Sequence, residues 1–317
     1  MDLISSASKI ALTGATGFLG SHLLKNEAFR DALAVGRKRP PNHSNFQKLS
    51  FHANDNLTLA LSDIDIVVHA AARAHVMNDT TANPLDEFRL VNTVGTLLLA
   101  EQAAIAGVKR FIFISTIKVL GEQTEPGQAF RFDDSFNPQD PYSVSKAEAE
   151  EGLKQIGRDH GMEIVIIRPP LVYGYGVKGN FASLLKLVRL PLPLPFGSIH
   201  NKRSLVSVEN LVDLIVVCLT HPNAKNQTFL VSDDDDMSTS ILFSRLADAG
   251  GYKAYIFSFP LVLLSIALRV LGKSPIYERL CGSMQVNIDY TKSQLGWIPP
   301  FKIKGSLSNC WLVDTER

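Results

Sequence analysis

Tyr142 and Lys146 stand four residues apart in "PYSVSKAEAE", a spacing that sets both side chains on one face of a helix. A free phenol titrates near 10 and is a poor base at neutral pH. An ammonium beside it favours the phenolate, so the pair is expected to lower the phenol's pKa and to carry a proton between an alcohol and a carbonyl. Ser115 and Thr116 close the apolar run "FIFIST", at the carboxyl edge of a parallel sheet, where ligands gather in such folds. At least one of these two hydroxyls is expected to serve only in strand-end hydrogen bonding.

A second chemical signal is "KIALTGATGFLGSHLL", where an apolar strand breaks at Gly14, Gly17 and Gly20 and resumes as a helix. The unpaired N–H groups and dipole at a helix start make an anion site. Gly14 would permit the turn, Gly17 the approach of a pyrophosphate, and Gly20 close packing of helix on strand. The spacing is GxxGxxG and not the standard GxGxxG of dinucleotide sites. At the end of the second strand an acidic residue would bind a ribose 2′-hydroxyl, whereas arginine accommodates a 2′-phosphate. Here "AVGRKRPP" places Gly36 where the acid would stand, followed by Arg37, Lys38 and Arg39. NADP is thereby favoured over NAD.

These groups need a scaffold to position them. Short apolar runs alternate with helical patterns through "KIALTG", "DALAVG", "DIDIVVHAAA", "KRFIFIST" and "EIVIIRPPLVYG", which predicts an α/β fold, a doubly wound parallel sheet with helices on both faces. Residues 84–107 and 142–156 carry apolar side chains at three-and-four spacing and are expected to be helices. Beyond Gly174 the texture changes: "LPLPLPFG" reads as loop, "NQTFLVS" as one more strand, and the remainder as mostly helical. The acidic run at 233–236 is expected to be a solvated turn before a helix.

With 317 residues the chain can hold two unequal domains. Its 32 basic and 31 acidic residues give a net charge of +1, no global field for nucleic acid or an anionic membrane, so an anionic ligand must be caught locally. Three scattered cysteines, without CxxC spacing, indicate neither disulfides nor a zinc site; no metal is expected. The leader "MDLISSASK" lacks the parts of an export signal, and a cytoplasmic location is expected. The uncharged window at 254–268 is shorter than a bilayer span and interrupted by Pro260; it is expected to be a buried or substrate-covering helix, with a membrane-surface contact as the alternative and no membrane insertion.

Taken in order, "TGATGFLG", "HAAA", "VNTVGT", "FISTIKVLGE", "PYSVSK", "IIRPPLVYG" and "LGWIPP" resemble the extended short-chain dehydrogenase/reductases of the nucleotide-sugar epimerase/dehydratase type, over nearly the whole chain. The resemblance implies a Rossmann-type domain over 1–173, to which 202–232 returns, and a smaller C-terminal substrate-binding lobe over 174–201 and 233–317. It implies a homodimer formed through helices at 90–106 and 142–156. It makes Tyr142 the general acid/base and Lys146 its partner, which also holds the nicotinamide ribose. Thr116, and not Ser115, becomes the hydroxyl on the substrate oxygen, and Asn92 a brace for the site. Thr16, Phe18, Leu19, Ala70 and Ala71 join the three glycines and Arg37 as cofactor contacts. Lys118, Asn180, Arg203 and, less regularly, Arg279 become contacts to a UDP-sugar. The chain departs from the pattern at Tyr175, where the family usually has proline, and at "ERLCGS", which replaces a usual Arg-x-Gly-Asp.

"IKVLGE", "RPPLVYG" and "KGNF" look most like a bacterial subgroup in surface-polysaccharide assembly, whose members are UDP-glucose 4-epimerases or reductases of UDP-linked 4-keto-6-deoxy-N-acetylhexosamines. Both reactions turn on sugar C4. An epimerase gains from tightly held NAD, whereas a reductase must exchange its cofactor each turnover. The basic, acid-free loop after the second strand therefore favours 4-keto reduction, with non-redox 4-epimerisation as the alternative. A dehydrogenase of lipophilic alcohols and a non-catalytic NADP sensor are further competitors; the first would not need Asn180 and Arg203, and the second would not need Thr116, Tyr142 and Lys146 together.

Overall fold

The computed structural model describes residues 8–49, 58–74, 83–125 and 127–312. Its centre is a sheet of seven parallel strands in the order β3-β2-β1-β4-β5-β6-β10: β1 (Ile10–Thr13), β2 (Leu33–Gly36), β3 (Phe46–Lys48), β4 (Ile66–His69), β5 (Arg110–Ile114), β6 (Glu163–Arg168) and, after three strands outside this sheet, β10 (Thr228–Leu230). Successive strand side chains point to opposite faces, and here both faces are buried. Ile10, Leu12, Ile66, Val68, Ile112 and Val165 enter one core; their neighbours Ala11, Val67, Phe111, Phe113, Ile164 and Ile166 enter the other. Leu23 of α1 (Phe18–Leu23) and Leu211 and Ile215 of α6 (Val208–Thr220) fill the first core. Leu99 and Ala103 of α3 (Gly95–Ile105), with Ala149 and Leu153 of α4 (Pro141–His160), fill the second. This is the doubly wound arrangement read from the alternation. β3 was not foreseen, because "FQK" carries almost no apolar signal.

The chain winds outward from β1 to β3 and then returns to the other side of β1 as β4. That reversal opens a crevice beyond the carboxyl ends of β1 and β4, where ligands bind in such sheets.

A separate core lies beyond the sheet. It joins Phe181 of α5 (Gly179–Arg189), Phe243 and Leu246 of α7 (Thr239–Gly250) and Leu307 of α11 (Ile303–Asn309) to Tyr173 of β7 (Leu171–Tyr173) and Leu205 of β9 (Leu205–Ser207). β7 pairs with β9, and β8 (Pro193–Leu194) pairs with β11 (Tyr255–Ile256), so the proline-rich segment is not purely loop. In the acidic run Asp234, Asp235 and Asp236 are exposed just before α7, as expected of a solvated turn, but Asp233 is not. Asp233 is buried and accepts from Tyr173 Oη at 2.6 Å, from the Ser207 amide at 2.9 Å and from Asn210 Nδ2 at 2.7 Å; three donors offset the cost of burying it.

α8 (Leu261–Val270) is not the buried helix expected of the apolar window. Only its Leu264 is buried, while Val262 and Val270 are 70% and 80% exposed. α9 (Ser274–Cys281) packs beside it, and α10 (Asp289–Leu295) returns to β10. No described helix is long and apolar enough to cross a membrane. The three cysteines are free, and no cluster of metal-ligating side chains occurs among the described residues.

Candidate active site

Two turns meet at the crevice. Gly14 follows β1 with φ +73°, and a Cβ there would lie 2.6 Å from the backbone of Ala70 and Ala71, so the loops after β1 and β4 touch only because this residue has no side chain. A Cβ on Gly20 would lie 2.1 Å from the Gly14 carbonyl oxygen, so α1 rests directly on the turn. The Gly17 amide donates to that same oxygen at 2.8 Å, and no side chain caps α1, whose first N–H groups open beside the exposed Thr16 and Gly17. Phe18 and Leu19 are half-buried against the first core. Arg37 is exposed just past β2; Arg39 lies 5.8 Å from the ring of Phe46. His22 hydrogen-bonds the Tyr175 carbonyl at 2.9 Å, tying the Tyr175 loop to α1.

The second group of residues is set by α4. Asp140 caps this helix by accepting from the Ser143 amide at 2.6 Å, Ser143 Oγ reciprocates at the Asp140 amide, and Pro141 opens the first turn, a full capping box with proline where its missing N–H costs nothing. Tyr142 and Lys146 follow on one face. Lys146 is 1% exposed, its Nζ 3.8 Å from the centre of the Phe113 ring, and no oxygen of a described residue accepts from it. Burial pulls its ammonium down to about 7, against the pull of Glu150. Tyr142 differs from expectation: its phenol is pushed up to about 12, by burial first and by the charge of Asp140 second. Both causes disfavour the phenolate.

Thr116 and Ser115 divide their roles. Ser115 Oγ donates to Glu150 Oε1 at 2.5 Å, and Glu150 pairs with Arg168 at 2.7 Å with both side chains buried. Ser115 is thus spent on the core. Thr116 Oγ1 accepts the Lys118 amide at 3.3 Å, which leaves its proton to donate at the sheet edge. Asn92 is buried in a π-helical turn, Arg89–Val94, between α2 (Pro84–Phe88) and α3. It donates to the Arg73 carbonyl at 3.1 Å and to Ser145 Oγ at 3.1 Å, and accepts the Arg73 amide at 2.8 Å. The loop after β4 is thereby fastened to α4 one residue before Lys146.

Lys118 is held by Asp140 at 2.7 Å and Glu122 at 2.8 Å. Arg203 sits half-buried between bridges to Met237 and Met284; one of its nitrogens donates to the carbonyls of Arg279 and Gly282, each at 3.0 Å. Burial lowers its pKa, partly offset by Glu122. Asp140, Lys118 and Glu122 therefore form one ion-paired group, whose carboxylates act by charge alone on Tyr142 at one end and on Arg203 at the other. Arg279 is exposed at the end of α9, and Asn180 is exposed in the first turn of α5 with no polar contact to that group.

The model of the NAD dependent epimerase/dehydratase family matches residues 10–232, from the glycine turn through Tyr142 and Lys146 to the end of β10. The chain belongs to this family. A protein of Vibrio cholerae called UDP-glucose 4-epimerase is 48% identical over 92% of this chain and 90% of its own. UDP-glucuronic acid 4-epimerase from Bacillus cereus, solved with NAD, overlays with a TM-score of 0.74 at 23% identity, covering 96% of this chain and 97% of that one. RMD from Pseudomonas aeruginosa, solved with NADPH, overlays at 0.70 with 22% identity, covering 96% and 98%.

Two features of this family member escaped the sequence reading. His69, present in the quoted "HAAA" without a role, is buried between Thr13 Oγ1 at 2.6 Å and Thr96 Oγ1 at 2.9 Å and stacks on Phe113. Burial first, and Lys146 second, hold it down at about 3; it is a neutral wedge behind the lysine. Asp140 is the other. An aspartate before proline at a helix start was a readable cap signal, but its hold on Lys118 depends on the loop after β5.

Proposed function

We propose that this protein inverts C4 of a UDP-linked hexose or N-acetylhexosamine. The observation that carries the reading is the 48% identity, along nearly the full length of both chains, to the Vibrio protein called UDP-glucose 4-epimerase. Tyr142 would take the O4 proton as C4 becomes a carbonyl and return it when the opposite epimer forms, while Thr116 donates to O4 and fixes its position. Protonation of Lys146 and ionisation of Tyr142 favour each other, so charging the lysine prepares the base. Arg203, with guanidinium nitrogens beyond the one bound to carbonyls, suits the diphosphate; Asn180, Arg279 and Lys118 are further substrate contacts in this reading.

The residues present fit a nicotinamide dinucleotide. A buried ammonium without an oxygen acceptor suits ribose hydroxyls, and the uncapped start of α1 with the bare Gly14 to Gly17 turn suits a pyrophosphate. When bound, that group supplies hydride acceptance and return at C4. Ala70 and Ala71, backed by Gly14, would form the wall opposite, and Asn92 would keep Lys146 in place. We propose a homodimer through the exposed Leu90, Val91 and Val94, at 55%, 44% and 53% exposure, and the neighbouring face of α4.

A second reading, reduction of a UDP-4-keto sugar with NADPH, draws on one observation: Gly36 followed by an exposed Arg37, with no acid at the end of β2. Purified protein supplied with UDP-glucose, UDP-GlcNAc and a UDP-4-keto-6-deoxy sugar, with NAD or NADPH, distinguishes the two. The 4-epimer is expected from at least one of the first two sugars without net loss of NADPH; consumption of NADPH with the keto sugar alone would support reduction instead.

A further inference from the structure

Residues 249–277 contain Lys253, Arg269 and Lys273 and no acidic side chain. Within this stretch α8 presents Val262, Leu263, Ile266 and Val270 at 70%, 52%, 54% and 80% exposure. At 3.6 residues per turn these four fall within an arc of about 100°, with Arg269 at its border and the buried Leu264 on the far side. Just ahead of the helix, Tyr255 and Phe257 are also exposed, at 54% and 44%. A continuous apolar helix face left in water is the mark of an interaction surface.

We propose that α8 docks the protein on the anionic surface of a lipid bilayer, lying in the headgroup layer with its apolar face inward. Ten residues of helix reach about 15 Å, half the thickness of a bilayer's apolar core, so α8 lies along the surface and does not cross it. The charge pattern selects the partner. The chain as a whole carries only +1, yet between Asp248 and Glu278 the charged side chains are three basic ones and no acidic one, and anionic headgroups attract such an excess. A second copy of the chain, set face to face, would bring like charges together. The docking is independent of the reaction assigned above, since none of these side chains belongs to the candidate site.

The test is sedimentation of the full chain with vesicles of equal parts phosphatidylglycerol and phosphatidylcholine, and with phosphatidylcholine vesicles in parallel. Cosedimentation is expected with the anionic vesicles only, and salt should weaken it. The variant Val262→Ser/Ile266→Ser/Val270→Ser should lose binding about tenfold, as should Arg269→Gln/Lys273→Gln. Both should keep the parent's melting temperature and turnover, because the replaced side chains face solvent. The proposal is overturned if the parent stays in the supernatant with both vesicle types, if the serine variant binds as the parent does, or if that variant instead dissolves a dimer of the parent.

Discussion

Burial pushes the Tyr142 phenol up to about 12, further from ionisation at neutral pH than a free phenol. Replacement by phenylalanine is expected to lower kcat by about 10²–10⁴-fold while titration with NAD or NADP still shows binding; turnover at the parental rate would remove Tyr142 from the reaction. Lys146 gives a prediction about stability. Its folded pKa falls from 10.5 to about 7, so between those values the unfolded chain holds more protons than the folded one, and stability rises with pH across that window. Lys146→Met should therefore melt above the parent at pH 7, with the advantage shrinking toward pH 10, while turnover is lost. Melting curves across that range check both the sign and the window. Arg37 belongs at this scale too: Arg37→Asp should move the ratio of NADP to NAD affinity toward NAD, and an unaltered ratio would make the basic loop ordinary solvated surface. The residue types and spacing of Tyr142, Lys146 and Thr116 were readable in the sequence, but the phenol's protonation was not, since desolvation depends on what packs around it.

The elements carry the site by a few contacts that local sequence does not announce. The residues at 84–107 read as one helix from their apolar spacing, yet the structure interrupts them with a π-helical turn that buries Asn92. Such turns are frequent at functional sites. Asn92→Ala deletes two donated bonds and one accepted bond, and should cost about 1–3 kcal/mol and depress turnover; denaturant unfolding beside the kinetics measures both. Gly20→Val should be more damaging, because even its Cβ would sit 2.1 Å from the Gly14 carbonyl, moving α1 off the turn and weakening dinucleotide binding. Here the glycine spacing was legible and its geometric reason was as expected. β3 and β8 were illegible, being two or three residues long with polar or proline-rich sequence, and their pairing is decided by neighbours distant in the chain.

At the scale of the whole molecule, alternation of strand and helix was enough to foresee a doubly wound sheet, because side chains buried on both faces leave long apolar runs. The exposure of α8 was only half legible, with a buried helix favoured over a membrane-surface contact, because an apolar window reads alike whether its covering is protein or an external surface. Likewise, the basic loop after β2 pointed to reduction, while similarity along the whole chain favours epimerisation, since a whole-chain likeness samples every wall of the site and a cofactor loop only one. The most direct test follows deuterium placed at C4 of UDP-glucose and UDP-GlcNAc during incubation with the protein and NAD. Inversion by removal and return of the same hydrogen predicts the 4-epimer with its C4 deuterium retained and no net NADH formed. Loss of the label to water, or recovery of both sugars unchanged, would contradict the account.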